Sequence, residues 1–492
     1  MSFGIDHNQL LAALTSLPRS RAAALRALPR LLSEQGEGHT TVSILSEKQP
    51  KIIASNNDNY PVGTLLPADG IVAHTASSGS MTYVSDTSQD ERYRPLDKVY
   101  AVELALPIHE RDETVAVLNI ERNLPFTPEE LHTLVVFSVS VGELLTEASR
   151  SQEAVITGAL SAELATLSDP VAAANIAVRI VASAVGATGA VIASDRRGRI
   201  RPVAGYNVPP TSEAVEFLRD GIPYPQGIMW RTVLTGKAQL TYDYASHEHS
   251  LESHRGLFGP IVVAAPMGAD ADHSVLALQF DQGAHVSAAD LVLLTNVSKH
   301  LGIILSAVRA YALQERLFEL HTLTSEKPTT DLYQRILETA VSFVPGAQAG
   351  SLLVRRNHEL PFRYTAVSGF DPELLADVEL EERNMLVWYA REEAEWRSGQ
   401  PRALSASDLD LVELSLVSAE RDEPVRAGDM KRLRSTVCLP IAHRGQVLAV
   451  INLDNFTRDD AFSRDSVRTL TQFAQPVASL IAGAHYRDEL ER

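Results

Sequence analysis

One unit recurs three times along this chain, and that recurrence limits the possible folds more than any other feature. The unit reads LALPIHERDETVAVLNIERNLPFTPEEL ending at Leu131, VVAAPMGADADHSVLALQFDQGAHVSAADL ending at Leu291, and TVCLPIAHRGQVLAVINLDNFTRDDAFSRDSV ending at Val467. Each copy sets two apolar, β-branched-rich runs on either side of a short polar segment, the signal of a β-hairpin. Pro107, Pro266 and Pro440 share one position of the unit, and Phe126, Val286 and Phe462 share another. The chain is therefore expected to be a tandem array of one domain type.

A helix pattern follows every hairpin in the same phase. Leu131, Leu134, Ser138, Val141, Leu145 and Ala148 are matched by Leu291, Leu294, Ser298, Leu301, Leu305 and Val308. The third copy gives Val467, Leu470, Ala474, Val477, Ile481 and Ala484. Steps of three and four make a seam for lengthwise packing on another helix. Val135, Val136 and Val139, and likewise Leu293, Val297 and Ile304, lie off the seam, so two packing partners are expected. Gly142, Gly302 and Ala478 coincide, which permits close backbone approach at one point.

The length of 492 residues suggests about three domains. The repeat divides it into 1–150, 151–312 and 313–492. A hydrophobic content of 45% is enough for three cores, and a net charge of −18 argues against a general nucleic-acid surface or an anionic membrane partner. One cysteine allows no internal disulfide and fits a reducing compartment. No uninterrupted apolar run reaches the ~18 residues of a membrane span, and the N-terminus has no hydrophobic signal core. A cytoplasmic location is the resulting expectation.

In chain order, an Ala/Leu-rich helical segment precedes the strands HTTVSIL and KIIASNN. A short helix from Gly70 to Gly79 leads to MTYVSDTSQDERY. The second domain repeats this plan with Gly227 and Gly236. The third replaces the short helix by RNMLVWYAREEAEWRSG and inserts an acidic stretch over 404–434. Between domains, Glu129 to about Leu167 and Ala288 to about Leu323 keep a helical pattern without a flexible linker, predicting helices that couple the domains mechanically.

This order of elements, with ALPI leading through a hairpin to VLNIERN and then FTPEEL, closely resembles the GAF domain. That family is the small-molecule sensing and dimerisation module of phytochromes, cyclic-nucleotide phosphodiesterases and bacterial regulators. The first and third copies match well and the second is degenerate. The resemblance implies an α/β (α+β) fold: three tandem domains, each a central antiparallel sheet with flanking helices, joined by long helices. It covers nearly the whole chain and specifies fold far better than ligand.

Candidate chemistry is sparse. Cys438 stands where the other copies have Ala105 and Ala264, so a small buried residue is expected rather than a nucleophile or a bilin attachment point. His247, His249 and His254 form the one histidine cluster, a weak metal candidate against a solvated loop. His300, in SKHLGIIL, has Ser140 and Pro476 as repeat counterparts and no kinase boxes follow it. The family's cyclic-nucleotide signature is incomplete. The third copy has Asn452, Asn455, Phe462 and Asp465, and the first has Asn119, Phe126 and Glu129, but the signature lysine is absent from both. A ligand pocket between sheet and short helix is expected, with Tyr83, Asp86 and Tyr93 near one mouth. Trp388, Asn452, Asn455 and Asp465 mark the third-domain equivalent, where Tyr389 and Trp396 are alternatively core.

The residues themselves add no sign of an enzyme, and the function the GAF resemblance implies is that of a sensory or regulatory protein. It binds a small molecule and signals through its helices to a partner protein, as a homodimer. The alternatives are a ligand-free dimeric scaffold that docks a partner, and the sensory part of a longer signalling enzyme. The second arises because the sequence ends at HYRDELER, inside a helix, where relatives attach an output domain.

Overall fold

Each copy of the hairpin lies at the centre of its own antiparallel sheet. The computed structural model describes residues 10, 12, 14, 17, 21–33, 39–45, 49–96, 98–111, 113–195, 199–208, 217, 219–246, 259–268, 274–281, 284, 286–323, 329–344, 346–357, 359–389, 392–409, 432–462 and 464–490.

The first domain runs α1 (Arg21–Ser33), β1 (His39–Leu45), β2 (Pro50–Ser55), α2 (Ile71–Ser78), β3 (Thr82–Val84), β4 (Val102–Glu110) and β5 (Glu113–Arg122). It closes with α3 (Pro128–Leu164). The strand order is β2-β1-β5-β4-β3. Alternation along β4 sends Leu104, Leu106 and Ile108 to a core under α1 and α3. Ala105 turns to the opposite face with Ile52, Tyr60, Ile71 and Val72. The glycines that bound α2 in the sequence do so in the structure: Gly79 ends it in the left-handed region at φ 64°.

The second domain consists of α4 (Pro170–Val185), β6 (Gly189–Asp195), β7 (Arg199–Tyr206), β8 (Ile222–Pro223), α5 (Gly227–Thr235), β9 (Gln239–Thr241), β10 (Ile261–Pro266), β11 (Ser274–Phe280) and α6 (Ala288–Leu323). The third consists of α7 (Thr329–Phe343), β12 (Ala349–Val354), β13 (Phe362–Ser368), α8 (Pro372–Leu375), β14 (Glu379–Leu380), α9 (Glu382–Tyr389), α10 (Glu393–Arg397), β15 (Arg402–Leu404), β16 (Ser435–His443), β17 (Gln446–Asn455) and α11 (Arg464–Leu490). Their orders, β8-β7-β6-β11-β10-β9 and β14-β13-β12-β17-β16-β15, repeat the first with one short edge strand added.

Local chemistry explains the shared pieces. The β16–β17 hairpin closes through Arg444 (φ 50°) and Gly445 (φ 79°), two positive-φ residues between paired His443 and Gln446. A two-residue turn of that kind matches the twist of its strands. The FTPEE segment is a capping box with proline at the first turn: Thr127 Oγ1 accepts from Glu130 N at 3.2 Å and Glu130 Oε2 accepts from Thr127 N at 2.8 Å. Arg122 reaches the same carboxylate at 2.7 Å and lies over the Phe126 ring at 3.8 Å. This fixes the angle at which α3 leaves the hairpin.

The seams are used within one chain. In α3, Leu134, Val141 and Leu145 are fully buried against the first sheet. In α6, Leu294, Leu301, Leu305 and Val308 lie in the core of the second domain. The main helical partners of α3 are α6 and α4. Ser161 Oγ meets His300 Nε2 at 3.1 Å, and Asn296 Nδ2 donates to Glu153 at 3.3 Å. The C-terminal half of α6 then contributes Leu313, Leu317 and Leu320 to the third core. The boundaries at 150/151 and 312/313 thus fall inside continuous helices. By length and hydropathy both helices are apolar enough to cross a membrane, with 18-residue means of 1.3 and 1.6, and both are core helices packed on sheets.

Candidate functional site

Buried polar side chains gather on the α2 side of the first sheet. Register sets Glu103 of β4 opposite Glu121 of β5, and Glu121 opposite His39 of β1. One row along the same face stand Ala105, Asn119 and Thr41. Side chains directly opposite on antiparallel strands lie about 5 Å apart at Cβ, so the two carboxylates are neighbours by construction. A small, solvent-open cavity of about 40 Å³ lies over this floor, walled by Thr41, Ile52, Tyr60, Ile71, Asn119 and the two glutamates.

The floor is short of donors. The Asn119 amide donates to Glu103, and the Tyr93 and Tyr60 hydroxyls are directed at Glu121. Tyr93 is itself held by the Tyr100 N–H at 2.9 Å. Asn119 is 6% exposed and its Oδ1 has no partner. His39, 4% exposed, has no partner at either ring nitrogen and packs 3.9 Å from the Tyr60 ring. Burial, and then the neighbouring Glu121 carboxylate, push Glu103 up to about 8. Burial raises Glu121 to about 7 and lowers His39 to about 4. The nearby arginines are already engaged at the rim. Arg92 forks onto Asp90 at 3.0 and 2.7 Å, holding that carboxyl down to about 2, and Arg94 reaches Asp69 at 3.0 Å.

The equivalent faces of the other domains are filled. In the second, Val262, Ala264 and Ala277 replace the polar floor, and Phe217, Met229 and Trp230 pack onto it. Trp230 is fully buried, its Nε1 donating to the Ile222 carbonyl at 2.9 Å. In the third, Asn452 and Asp454 repeat Asn119 and Glu121. Burial lifts Asp454 to about 7, while Thr436 donates to it at 2.6 Å. Over them Phe362, Met385, Tyr389 and Trp396 close the face, with Trp396 Nε1 donating to Glu382 at 3.1 Å and Glu382 bound to Arg355 at 2.8 Å.

Matches to the GAF domain family span residues 9–145 and 326–482, together more than half of the chain. The chain belongs to the GAF domain family. Its two matched GAF domains are the ones whose middle strand carries Asn-x-acidic, and the second domain, outside both matches, keeps the strand order without those residues. Among solved structures it is similar to the GAF domain from an Acinetobacter phosphoenolpyruvate-protein phosphotransferase, at 18% identity and TM-score 0.26 over 29% of this chain and 92% of that one. It is similar to a free methionine-R-sulfoxide reductase from Neisseria meningitidis in complex with its substrate, at 14% identity and TM-score 0.27 over 30% and 88%. It is also similar to a bacteriophytochrome from the photosynthetic bacterium R. palustris, at 10% identity and TM-score 0.40 over 61% and 75%. No curated protein matches the chain.

Of the residues marked in the sequence, Tyr93 and Asn452 stand on this GAF face. Tyr83 does not. Paired with Leu104, it faces α3, where its ring meets Phe126 edge-on at 5.7 Å and its hydroxyl accepts from Phe126 N at 3.2 Å. Asp86 is an exposed cap that accepts from Ser88 N at 3.1 Å. Asn455 organises the loop after β17, accepting from Thr457 and Arg458 N–H groups at 2.9 and 2.8 Å and donating to Gly346 at 2.7 Å. Trp388 is half-buried on α9, its Nε1 without a partner. The Asp465 side chain and His247, His249 and His254 lie outside the described residues. Among the described residues no group of three or more His, Cys, Asp or Glu is placed to hold a metal ion. Glu103, Glu121, His39 and Asp454 escaped the sequence reading. The signal that marks two of them is the repeated Asn-x-acidic triplet of VLNIER and VINLDN.

Proposed function

We propose that this GAF-domain protein is a sensory or regulatory protein that takes a small molecule into the cavity of its first domain. The occupied state is passed along α3 and α6 to a partner protein. The observation that carries this reading is the buried, hydrogen-bond-deficient floor under an open cavity, a combination suited to a ligand and unsuited to a structural core. The continuous helices supply the mechanical connection. No catalysis is part of this reading. Burial pushes the Cys438 thiol far up, leaving no thiolate for nucleophilic or redox chemistry. A cytoplasmic location and a homodimer belong to the same reading. With the seams covered internally, the dimer surface is assigned to Ile303 (69% exposed) and Phe318 (71% exposed) of α6, facing a second copy.

The test is mass spectrometry of small molecules released from the purified full chain. A bound compound is expected, and it should be lost when Val72, on α2 in the cavity wall, is replaced by Trp. Release of nothing from the native chain would favour the second reading, a ligand-free scaffold, which the tryptophan-filled faces of domains two and three already suit.

A further inference from the structure

We infer that the ligand of the first-domain cavity carries a protonated amine, held by Glu103, Glu121 and the side-chain oxygen of Asn119. This rests on the reading of the cavity as a ligand site and goes on to name the chemistry. The floor offers acceptors in excess: two carboxylates side by side and the buried, unpartnered amide oxygen of Asn119, a residue only 6% exposed. Its donors are spent, the Asn119 amide on Glu103 and the Tyr93 hydroxyl on Glu121. An ammonium group brings three donors and no acceptor, which matches this deficit. A carboxylate or phosphate would face two acidic side chains, with Arg92 and Arg94 already tied to Asp90 and Asp69 at the rim.

The same arrangement fixes the pH dependence. The charged and titratable groups around the pair are His39 from β1, Tyr60 after β2, His74 of α2, and Asp90, Arg92 and Tyr93 before β4. His39 is neutral above about 4 and Arg92 is paired, so the proton that must leave is a carboxyl proton of Glu103 or Glu121. An incoming ammonium displaces it. Binding therefore strengthens as pH rises toward 8 and releases a proton, until the amine itself deprotonates near ~10.

The experiment is calorimetric titration of the full chain with n-butylammonium, n-butanol and butyrate, at pH 6 and pH 8 and in buffers of different ionisation enthalpy. Saturable binding of n-butylammonium is expected, at least tenfold weaker at pH 6, with a heat that follows the buffer. Glu103→Gln and Glu121→Gln should each weaken it at least tenfold without lowering the melting temperature. Asn119→Leu should weaken it while keeping both carboxylates. Butanol or butyrate binding as tightly as the amine, and blocked by Val72→Trp, overturns the amine assignment while leaving the cavity a ligand site. So does amine binding that ignores all three floor substitutions. Failure of all three probes to saturate the native chain overturns the assignment, and release of no compound from the purified chain would overturn the site reading as well.

Discussion

Glu103 and Glu121 hold protons into the neutral range because burial disfavours their charged forms, to which the neighbouring Glu121 carboxylate adds at Glu103. Unfolded glutamates lose theirs near ~4.3. Between that value and about 7 to 8 the native state binds more protons. This stability is complete at low pH and lost as pH rises through the folded values. His39 acts in the opposite sense, its contribution falling away as pH drops from its unfolded ~6.5 toward about 4. The window from about 6.5 to 8 therefore isolates the carboxylates. The opening free energy read by hydrogen exchange in β4 and β5, corrected for the intrinsic exchange rate, should fall across it by up to ~1.4 kcal/mol per pH unit for each retained proton. Glu103→Gln should flatten the slope. An unchanged slope would disconnect Glu103 from the effect. Cys438 makes a plainer case. It is fully buried opposite Asn452, in line with the alanines at its repeat positions. Cys438→Ala should cost ~1 kcal/mol or less in urea unfolding, and thiol reagents should label the native protein only after unfolding. Repeat position made Cys438 legible. The floor carboxylates were not, because an acid at a strand end reads as solvated until the register sets a second one beside it.

At the scale of elements, helix placement depends on a missing side chain. A Cβ on Gly302 would lie 1.6 Å from the Met267 carbonyl oxygen, and one on Gly142 would lie 2.1 Å from that of His109. The third domain has Ala478 at this position, 4% exposed, so its α11 stands where a methyl fits. Gly302→Ala should destabilise by roughly 1–3 kcal/mol through overpacking. Ala478→Gly should lose only the helix-propensity difference, about 1 kcal/mol. Urea midpoints of the two variants check the contrast, and equal losses would remove the close-approach argument. The hairpins, the glycine-bounded short helices and the two long helices were all legible, since each has a local signature in turn residues, caps or period. The edge strands β8 and β14 pair over two residues each, too short to leave a pattern. The placement of Tyr83 was missed for a related reason: a three-residue strand does not reveal which face it turns inward.

At the scale of the whole molecule, the two partners expected for the phased seams are found within one chain, in the sheet and a neighbouring helix. Leu301 and Leu305 are 0% and 2% exposed in the second core. Their replacement by Glu should give aggregated or unfolded protein rather than soluble monomers, since an unpaired charge in a core is severely destabilising. Ile303→Glu with Phe318→Glu should instead stay folded and shift the light-scattering mass toward 53.6 kDa if α6 carries the homodimer. A native mass already near that value would remove the dimer. The second and third domains also meet through Arg458 and Asp195, 3.9 Å apart with side chains 5% and 2% exposed, a contact no repeat pattern announces. Tandem architecture was legible from the sequence because copies can be compared with one another, whereas contacts between copies leave no such internal reference. The 37 residues of α3 give a rod of about 55 Å at ~1.5 Å per residue. Its first turn is clamped to the first domain by the Thr127–Glu130 box and Arg122. The helix is also held at its middle, where Gly142 meets the His109 carbonyl, so a tilt of about 5° about that point would carry the far end, roughly 33 Å on, through an arc of about 3 Å. A small rotation of α3 on the first sheet would therefore reach the second core, where Ile156, Leu160 and Leu164 are seated, as a shift of roughly 3 Å.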